Sequence, residues 1–245
     1  MLLRDPKLSA IEGLVHGFTD RDGGVSVGRY ATLNMASKWG DDLEAVAENR
    51  RRVAAAAGYD PSALRTARQV HGVDVVHVDA LEPDTTADAL WCRREDGVVV
   101  GVLTADCVPV LLADRGGRVA AAIHSGWRGT AADIVGQTVA ALRRAGVEAR
   151  ELVASIGPCI ELDAFEVGPE VAAAFDPAFV REQDPRPHVD LVAAVRHQLL
   201  AAGLDADAIG RVGGCTHAQP DRFFSFRRDG AGIGQMLALV GFGAE

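Results

Sequence analysis

The amino-acid sequence predicts a mixed α+β fold. Three observations carry that reading. Strand-like and helix-like runs follow one another in irregular order, which argues against a doubly wound sheet. Asp114-Arg115-Gly116-Gly117 joins two apolar runs by a connection too short for a parallel crossover, so that pair is antiparallel. Two stretches carry apolar residues at helical spacing between recognisable start and stop signals.

The elements follow in order. Residues 1–40 read as short strands and turns, with a strand at 14–18 and a turn at Gly23-Gly24 that permits positive φ. Arg21 and Asn34 flank that turn as polar side chains able to reach a ligand. A helix comes next. Asp41 caps it with Glu44 three residues on, Leu43, Val46, Ala47, Val53, Ala54 and Ala57 share one face, and Gly58 stops it. Arg50-Arg51-Arg52 reads as its solvated side. Residues 64–70 and 73–78 read as strands on either side of His71. Residues 82–88, rich in Pro, Asp and Thr, read as a loop. The apolar runs 97–103 and 108–112 flank Cys107, and 118–123 leads into His124, so this region looks like a meander of paired strands. A second helix starts near Thr130, aligns Ala131, Ile134, Val135, Thr138, Val139 and Leu142, and ends at Gly146. A strand at 152–156, a short helix from Pro169, a loop at 181–187, a helix at 189–202 and strands at 208–212 and 235–242 complete the chain. No repeat or compositional break divides it, so residues 1–245 are expected to form a single domain.

Composition narrows the function. The chain of 245 residues is 48% hydrophobic and 24% charged, as ordinary globular proteins are. Its net charge of -9 argues against broad contact with nucleic acid or an anionic membrane. Met1-Leu2-Leu3 meets Arg4-Asp5-Pro6 at once, and no stretch approaches the ~20 apolar residues of a spanning helix. A cytoplasmic protein with no membrane partner is expected. Cys92, Cys107, Cys159 and Cys215 stand far apart with no C-x-x-C pair, which favours free thiols.

Three short stretches bear the chemistry: Gln69-Val70-His71-Gly72, Thr104-Ala105-Asp106-Cys107 and His124-Ser125-Gly126-Trp127-Arg128-Gly129. Each puts a metal-ligating side chain beside a strand end. If the ends converge, His71, Cys107 and His124 offer three ligands and one open position, the pattern of a catalytic zinc. Copper also accepts imidazole and thiolate. Cys107 and His124 alone equally suit a nucleophile and its base, and the residues by themselves leave both readings open. Trp127-Arg128-Gly129-Thr130, at a helix start, reads as an anion site. His16 and His217 are further candidates without a spacing that places them.

Taken together these stretches, with Asp22-Gly23-Gly24-Val25-Ser26, Thr32-Leu33-Asn34, Glu48-Asn49-Arg50, Ile156-Gly157-Pro158, Phe165-Glu166-Val167-Gly168 and Phe223-Phe224-Ser225-Phe226-Arg227-Arg228-Asp229, resemble the YfiH family. That family is also called the laccase-domain or multicopper polyphenol oxidase family, and its bacterial members are described as the peptidoglycan editing factor PgeF or as purine nucleoside phosphorylase. The resemblance implies one domain of layered mixed β-sheets flanked by helices. It implies zinc, or copper, on His71, Cys107 and His124. It implies phosphorolysis of adenosine, inosine, guanosine and methylthioadenosine to free base and ribose 1-phosphate, with adenosine deaminase side activity. Purine nucleosides and phosphate are then the partners, with Asn34, Arg21, Arg128 and Arg227 as binding residues, Arg228 as a further anion contact and Asp106 supporting the ligands. Two other activities stay open under the same resemblance: copper-dependent phenol oxidation, and hydrolysis of peptidoglycan precursors by Cys107 and His124. Phe226 stands where the family motif has a tyrosine, and Gln235 where it has an arginine. The oligomeric state is not readable from the sequence.

Overall fold

The computed structural model describes residues 1–243. In chain order its strands are β1 (Leu2–Leu3), β2 (Leu14–Thr19), β3 (Leu64–Arg65), β4 (Val75–His77), β5 (Ala89–Arg93), β6 (Val99–Thr104), β7 (Val108–Asp114), β8 (Val119–Ser125), β9 (Leu152–Ile156), β10 (Val180–Arg181), β11 (His188–Val189), β12 (Ile209–Arg211) and β13 (Met236–Phe242). The helices are α1 (Pro6–Ser9), α2 (Leu43–Ala57), α3 (Trp127–Ala131), α4 (Ile134–Arg144), α5 (Pro169–Ala172), α6 (Leu191–Ala201) and α7 (Phe226–Asp229). None of them is long and apolar enough to cross a membrane.

Two mixed sheets form the centre. One has the order β1-β2-β13-β6-β3 and the other β12-β9-β7-β8-β5-β4, while β10 and β11 make a separate hairpin. The layering follows from strands that are apolar on both sides, which a sheet needs when both its faces are covered. In β7, Leu111 and Ala113 point into the space between the sheets with Phe18, Val100, Val102, Ala122, Val240 and Phe242. Val110 and Leu112 point the other way, against Ile134, Val135, Val139 and Leu142 of α4 and Val195 and Leu199 of α6. The five-stranded sheet is covered in turn by α2, whose Val53 and Ala54 meet Leu237 and Leu239 of β13. The result is a helix–sheet–sheet–helix stack, the layered α+β architecture expected.

Several details differ from the sequence reading. The strands at 99–104 and 108–114 are not neighbours in a meander: β6 pairs with β13 in one sheet, and β7 pairs with β8 and β9 in the other. Residues 105–107 therefore carry the chain from one layer to the next. The β7–β8 pair is antiparallel, as its short turn demands. The cap of α2 is Asp42, which accepts from the Glu44 and Ala45 N–H groups, and Gly58 ends the helix in the left-handed region at φ +85°. Asp41 instead accepts from the Ser26 hydroxyl and the Asn34 amide. Leu43 is exposed although its spacing puts it with the apolar face, and Arg50 donates to the Met35 carbonyl rather than facing water. The helix expected from Thr130 is broken. Asp133 sits at φ +59° and caps α4 by accepting from the Gly136 N–H, leaving α3 as a separate piece of five residues.

One buried asparagine organises the first forty residues. Asn49 of α2 accepts from the Val25 N–H at 2.8 Å and donates to the Ser26 hydroxyl at 2.9 Å and the Asn34 carbonyl at 2.8 Å. Its side chain is fully buried, so each partner left without it has no water to turn to. Replacing Asn49 with alanine is expected to lower the free energy of unfolding by about 3 kcal/mol. Urea unfolding followed by circular dichroism checks this; a change within error of zero contradicts the account.

Candidate metal centre

His71, Cys107 and His124 come together at one end of the sandwich. Their ligand atoms all lie within 4.8 Å of one another, and Cys107 Sγ is 3.9 Å from His71 Nε2. The two imidazoles meet edge to face with ring centroids 4.8 Å apart. His71 is exposed, Cys107 half-buried and His124 buried, so the cluster is closed behind and open in front. Two imidazoles and a thiolate suit zinc, whose bonds of about 2.0–2.3 Å require tetrahedral ligands roughly 3.5 Å apart. The donor set fits such an ion after a small contraction.

Each ligand is held by a different local device. His124 is the second-last residue of β8, the central partner of β5 and β7, so its backbone is locked by pairing on both sides. Cys107 follows Asp106 at the layer crossing. Asp106 adopts φ +100°, accepts from the Thr216 hydroxyl and the Arg227 N–H at 2.6 Å each, and its own carbonyl accepts from the Ile160 N–H at 2.9 Å. Three separate segments are thereby pinned beside the thiol. His71 also lies in the left-handed region, at φ +60°. The Gln69 side chain, two residues earlier, exchanges two 2.8 Å hydrogen bonds with the Leu103 backbone, as an added strand would.

Sequence reading assigned residues 82–88 to a loop and missed Asp88, the residue that joins these devices. Its carboxylate is fully buried at the start of β5. It accepts from the backbone N–H groups of Val70, His71 and Gly72 at 3.1, 3.0 and 2.7 Å, and from His124 Nδ1 at 2.7 Å. Its carbonyl accepts from the His124 N–H at 2.7 Å. Burial pushes the Asp88 carboxyl up, but the hydrogen bonds from His124, Gly72 and Val70 prevail and hold it below its ordinary range. The proton on His124 is thereby placed on Nδ1, which turns Nε2 toward the cluster. The only prior sign was an Asp just ahead of an apolar strand.

Electrostatics couple the thiol to the imidazoles. Burial favours a neutral Cys107, but the charge and hydrogen bond of His124, with His71 adding to both, bring its pKa down to about 6. Burial likewise opposes a charged His124, and the Cys107 thiolate with the Asp88 carboxylate outweighs it, raising the imidazole to about 9. Cys92 and Cys159 are pushed far up by burial, Cys92 to about 12. Gly126 completes the enclosure. A Cβ there would meet His71 Cδ2 at 2.8 Å and Cys107 Sγ at 3.1 Å, so a larger residue would press directly on two ligands.

The expected binding residues separate into two groups. Asn34 is fully buried, with its amide donating to the Ala36 carbonyl and Asp41 and its oxygen accepting from the Ala36 and Gln235 N–H groups. Arg21 donates to the Ala31 and Pro220 carbonyls and lies over the Phe224 ring. Arg228 donates to the Thr216, His217 and Phe223 carbonyls and to Asp229. These three hold loops together. Arg128 is exposed and lies over Trp127, at the start of a helix far shorter than the one expected. Arg227 is exposed, with its N–H bonded to Asp106 beside Cys107. It lines a cavity of about 380 Å³ with Trp127, Phe165, Glu166 and Arg186. His16 is buried within β2 opposite Val240.

Comparison with known proteins bears directly on this arrangement. The family described as multi-copper polyphenol oxidoreductase laccase matches residues 15–243. The chain belongs to that family. It is 41% identical to a purine nucleoside phosphorylase of Deinococcus radiodurans over 245 residues, covering 98% of this chain and 92% of that protein. It is 36% identical to the purine nucleoside phosphorylase YfiH of Escherichia coli over 244 residues, covering 96% of each. The crystal structure of YlmD from Geobacillus stearothermophilus superposes with a TM-score of 0.90 at 32% identity, covering 99% of this chain and 96% of that one. The layered α+β fold is thus that of the family.

Two outcomes test the centre. Asp88→Asn is expected to weaken metal binding by about 10- to 100-fold, measured by chelator competition on protein shown to be folded. Unchanged affinity would remove Asp88 from its supporting role. In metal-free protein, iodoacetamide alkylation of Cys107 is expected to rise as pH passes about 6, because the thiolate forms there, while Cys92 and Cys159 stay unmodified. Peptide mass spectrometry reads the site; a rise only above pH 8 contradicts the coupling.

Proposed function

We propose that the protein is a zinc-dependent purine nucleoside phosphorylase. The observation that carries this reading is the open His71–Cys107–His124 set beside a cavity with an aromatic wall and arginine side chains. The relatives named as purine nucleoside phosphorylases, matched along almost their whole length, support the same reading.

In the reaction proposed, a phosphate oxygen forms a bond to ribose C1′ while the C1′–N9 bond breaks. The electron pair goes to the base, which takes up a proton as it leaves. The enzyme must hold the anion, shield the site and stabilise the departing base. His71, Cys107 and His124 would hold the metal, which would supply a Lewis acid and an acidified water. Asp88 keeps the His124 proton on Nδ1, so that Nε2 stays a ligand through turnover. Asp106 positions Cys107 through the Thr216 and Arg227 contacts. Arg227 holds substrate at the mouth of the site, and Arg128 approaches from the Trp127 side. Asn34, Arg21 and Arg228 contribute through loop structure. Adenosine deamination is a side activity in this reading, since a metal held by His71, Cys107 and His124 would supply the acidified water that such a hydrolysis needs.

The copper oxidase reading is less well supported. Among the described residues, the second group able to hold a metal is His77, Asp79 and Asp96. It contains no thiolate, and His77 Nδ1 and Nε2 already face Asp79 and Asp96 at 3.4 and 3.1 Å. The His71 cluster alone offers one metal position rather than several.

Protein purified without added metal should carry about one zinc per chain and release hypoxanthine from inosine only when phosphate is present. Cys107→Ala should lose both metal and turnover. Full activity of that variant would refute the metal mechanism, and metal-dependent oxidation of phenols without base release would favour the oxidase.

A further inference from the structure

Arg186 received no role from the sequence, because it lies in a segment read only as a loop. The structure folds that segment into the turn of the β10–β11 hairpin, with Arg181 opposite His188. Phe165 and Glu166 run alongside, since Glu166 bridges to His188 and the Val167 N–H donates to the Pro187 carbonyl. Arg186 consequently meets Arg227 in one cavity, although 41 positions separate them in the chain.

We propose that this cavity is the subsite for inorganic phosphate, clamped between Arg227 and Arg186. The inference rests on the phosphorylase reading; it narrows the role of Arg227 to the phosphate and adds Arg186, which the sequence did not connect with an anion. Location is the first argument. Trp127 and Arg227 line the cavity, and each is tied to the metal cluster by one step. Trp127 follows Gly126, the residue packed against His71 and Cys107. The Arg227 N–H bonds to Asp106, the neighbour of Cys107. The cavity is thereby linked to the cluster through Gly126–Trp127 and through Asp106–Arg227.

Charge is the second argument. Arg227 is fixed from behind: one Nη donates to the Glu166 carbonyl at 2.6 Å, and the guanidinium lies over the Phe165 ring. Its remaining donors are oriented without further ordering cost. Arg186 stands 3.8 Å from the Glu166 carboxylate. Two guanidinium groups and one carboxylate line the cavity and leave a net positive charge there. Planar guanidinium pairs match the oxygens of a phosphate. Arg21 and Arg228 fail the same test, because backbone carbonyls occupy their donors. The volume of about 380 Å³ leaves room beside the anion for the ribose it attacks.

The test is a phosphorus NMR titration of the zinc-loaded protein with inorganic phosphate, alongside phosphate-dependent hypoxanthine release from inosine. Arg186→Gln is expected to weaken phosphate binding about tenfold, the loss of one charge-assisted contact, and Arg227→Gln at least as much. KM for inosine should change far less than KM for phosphate, and Arg186→Lys should recover most of the affinity. Wild-type affinity in both glutamine variants, or no phosphate binding by the wild type, overturns the subsite. Phosphorolysis with an unchanged KM for phosphate in both variants also overturns it while leaving the phosphorylase intact. Phosphate binding weakened by Arg186→Gln in a protein that releases no base supports the subsite and rejects the phosphorylase.

Discussion

The carboxylate of Asp88 is the contact on which the candidate site depends. A bare buried charge would be strongly unfavourable. Here three successive backbone N–H groups and an imidazole N–H surround it, so its cost is offset by charge-assisted bonds. The same bonds force the His71 segment to curl around the carboxylate, which explains why a histidine, not a glycine, occupies φ +60° there. One side chain thus sets the path of one ligand loop and the tautomer of another ligand. His71 and His124 are separated by 53 positions, yet both read their geometry from one carboxylate.

The sandwich supplies the rigid frame around that contact. β7 and β8 are buried on both faces, and β8 pairs along both edges, so His124 has little freedom. His71 lies between β3 of one sheet and β4 of the other, and Cys107 lies between β6 and β7, again one strand from each sheet. Two of the three candidate ligands therefore occupy crossings between layers. Such crossings cannot join either ladder, and their backbone polar groups need other partners. Gln69, Asp88 and Asp106 supply those partners, which is why polar residues concentrate where the candidate ligands stand.

What the sequence revealed divides along physical lines. Strands 14–19, 99–104, 108–114, 119–125, 152–156 and 236–242 were legible because their apolar runs are long, and Gly58 marked a helix end because positive φ favours glycine. The three ligand candidates were legible as residue types at strand ends, and the resemblance to a family strengthened them. Sheet membership was not, because an apolar run buried on both faces carries no sign of which sheet it joins. Asp88 was hidden for a related reason: a carboxylate that organises a buried turn and one that tips a solvated loop look alike in a chain. Asn34 and Arg21 misled in the opposite direction. Their side chains are polar and near a glycine turn, but their bonding groups are satisfied by the protein itself. Arg186 gave no signal, since only the hairpin turn brings it to Arg227.

The two layer crossings bear on how the protein matures. Before the sheets dock, His71, Cys107 and His124 are isolated donors on a long chain, and each alone is a weak trap for an ion. Only the assembled sandwich presents them together, so a metal bound at this candidate centre would be captured late in folding, after the interior between the sheets has packed. Occupancy of the candidate centre would then report a property that no single strand possesses: that both layers have closed on each other in register. A substitution deep between the sheets, far from any donor atom, would register as a population of chains that are made in full yet carry no ion.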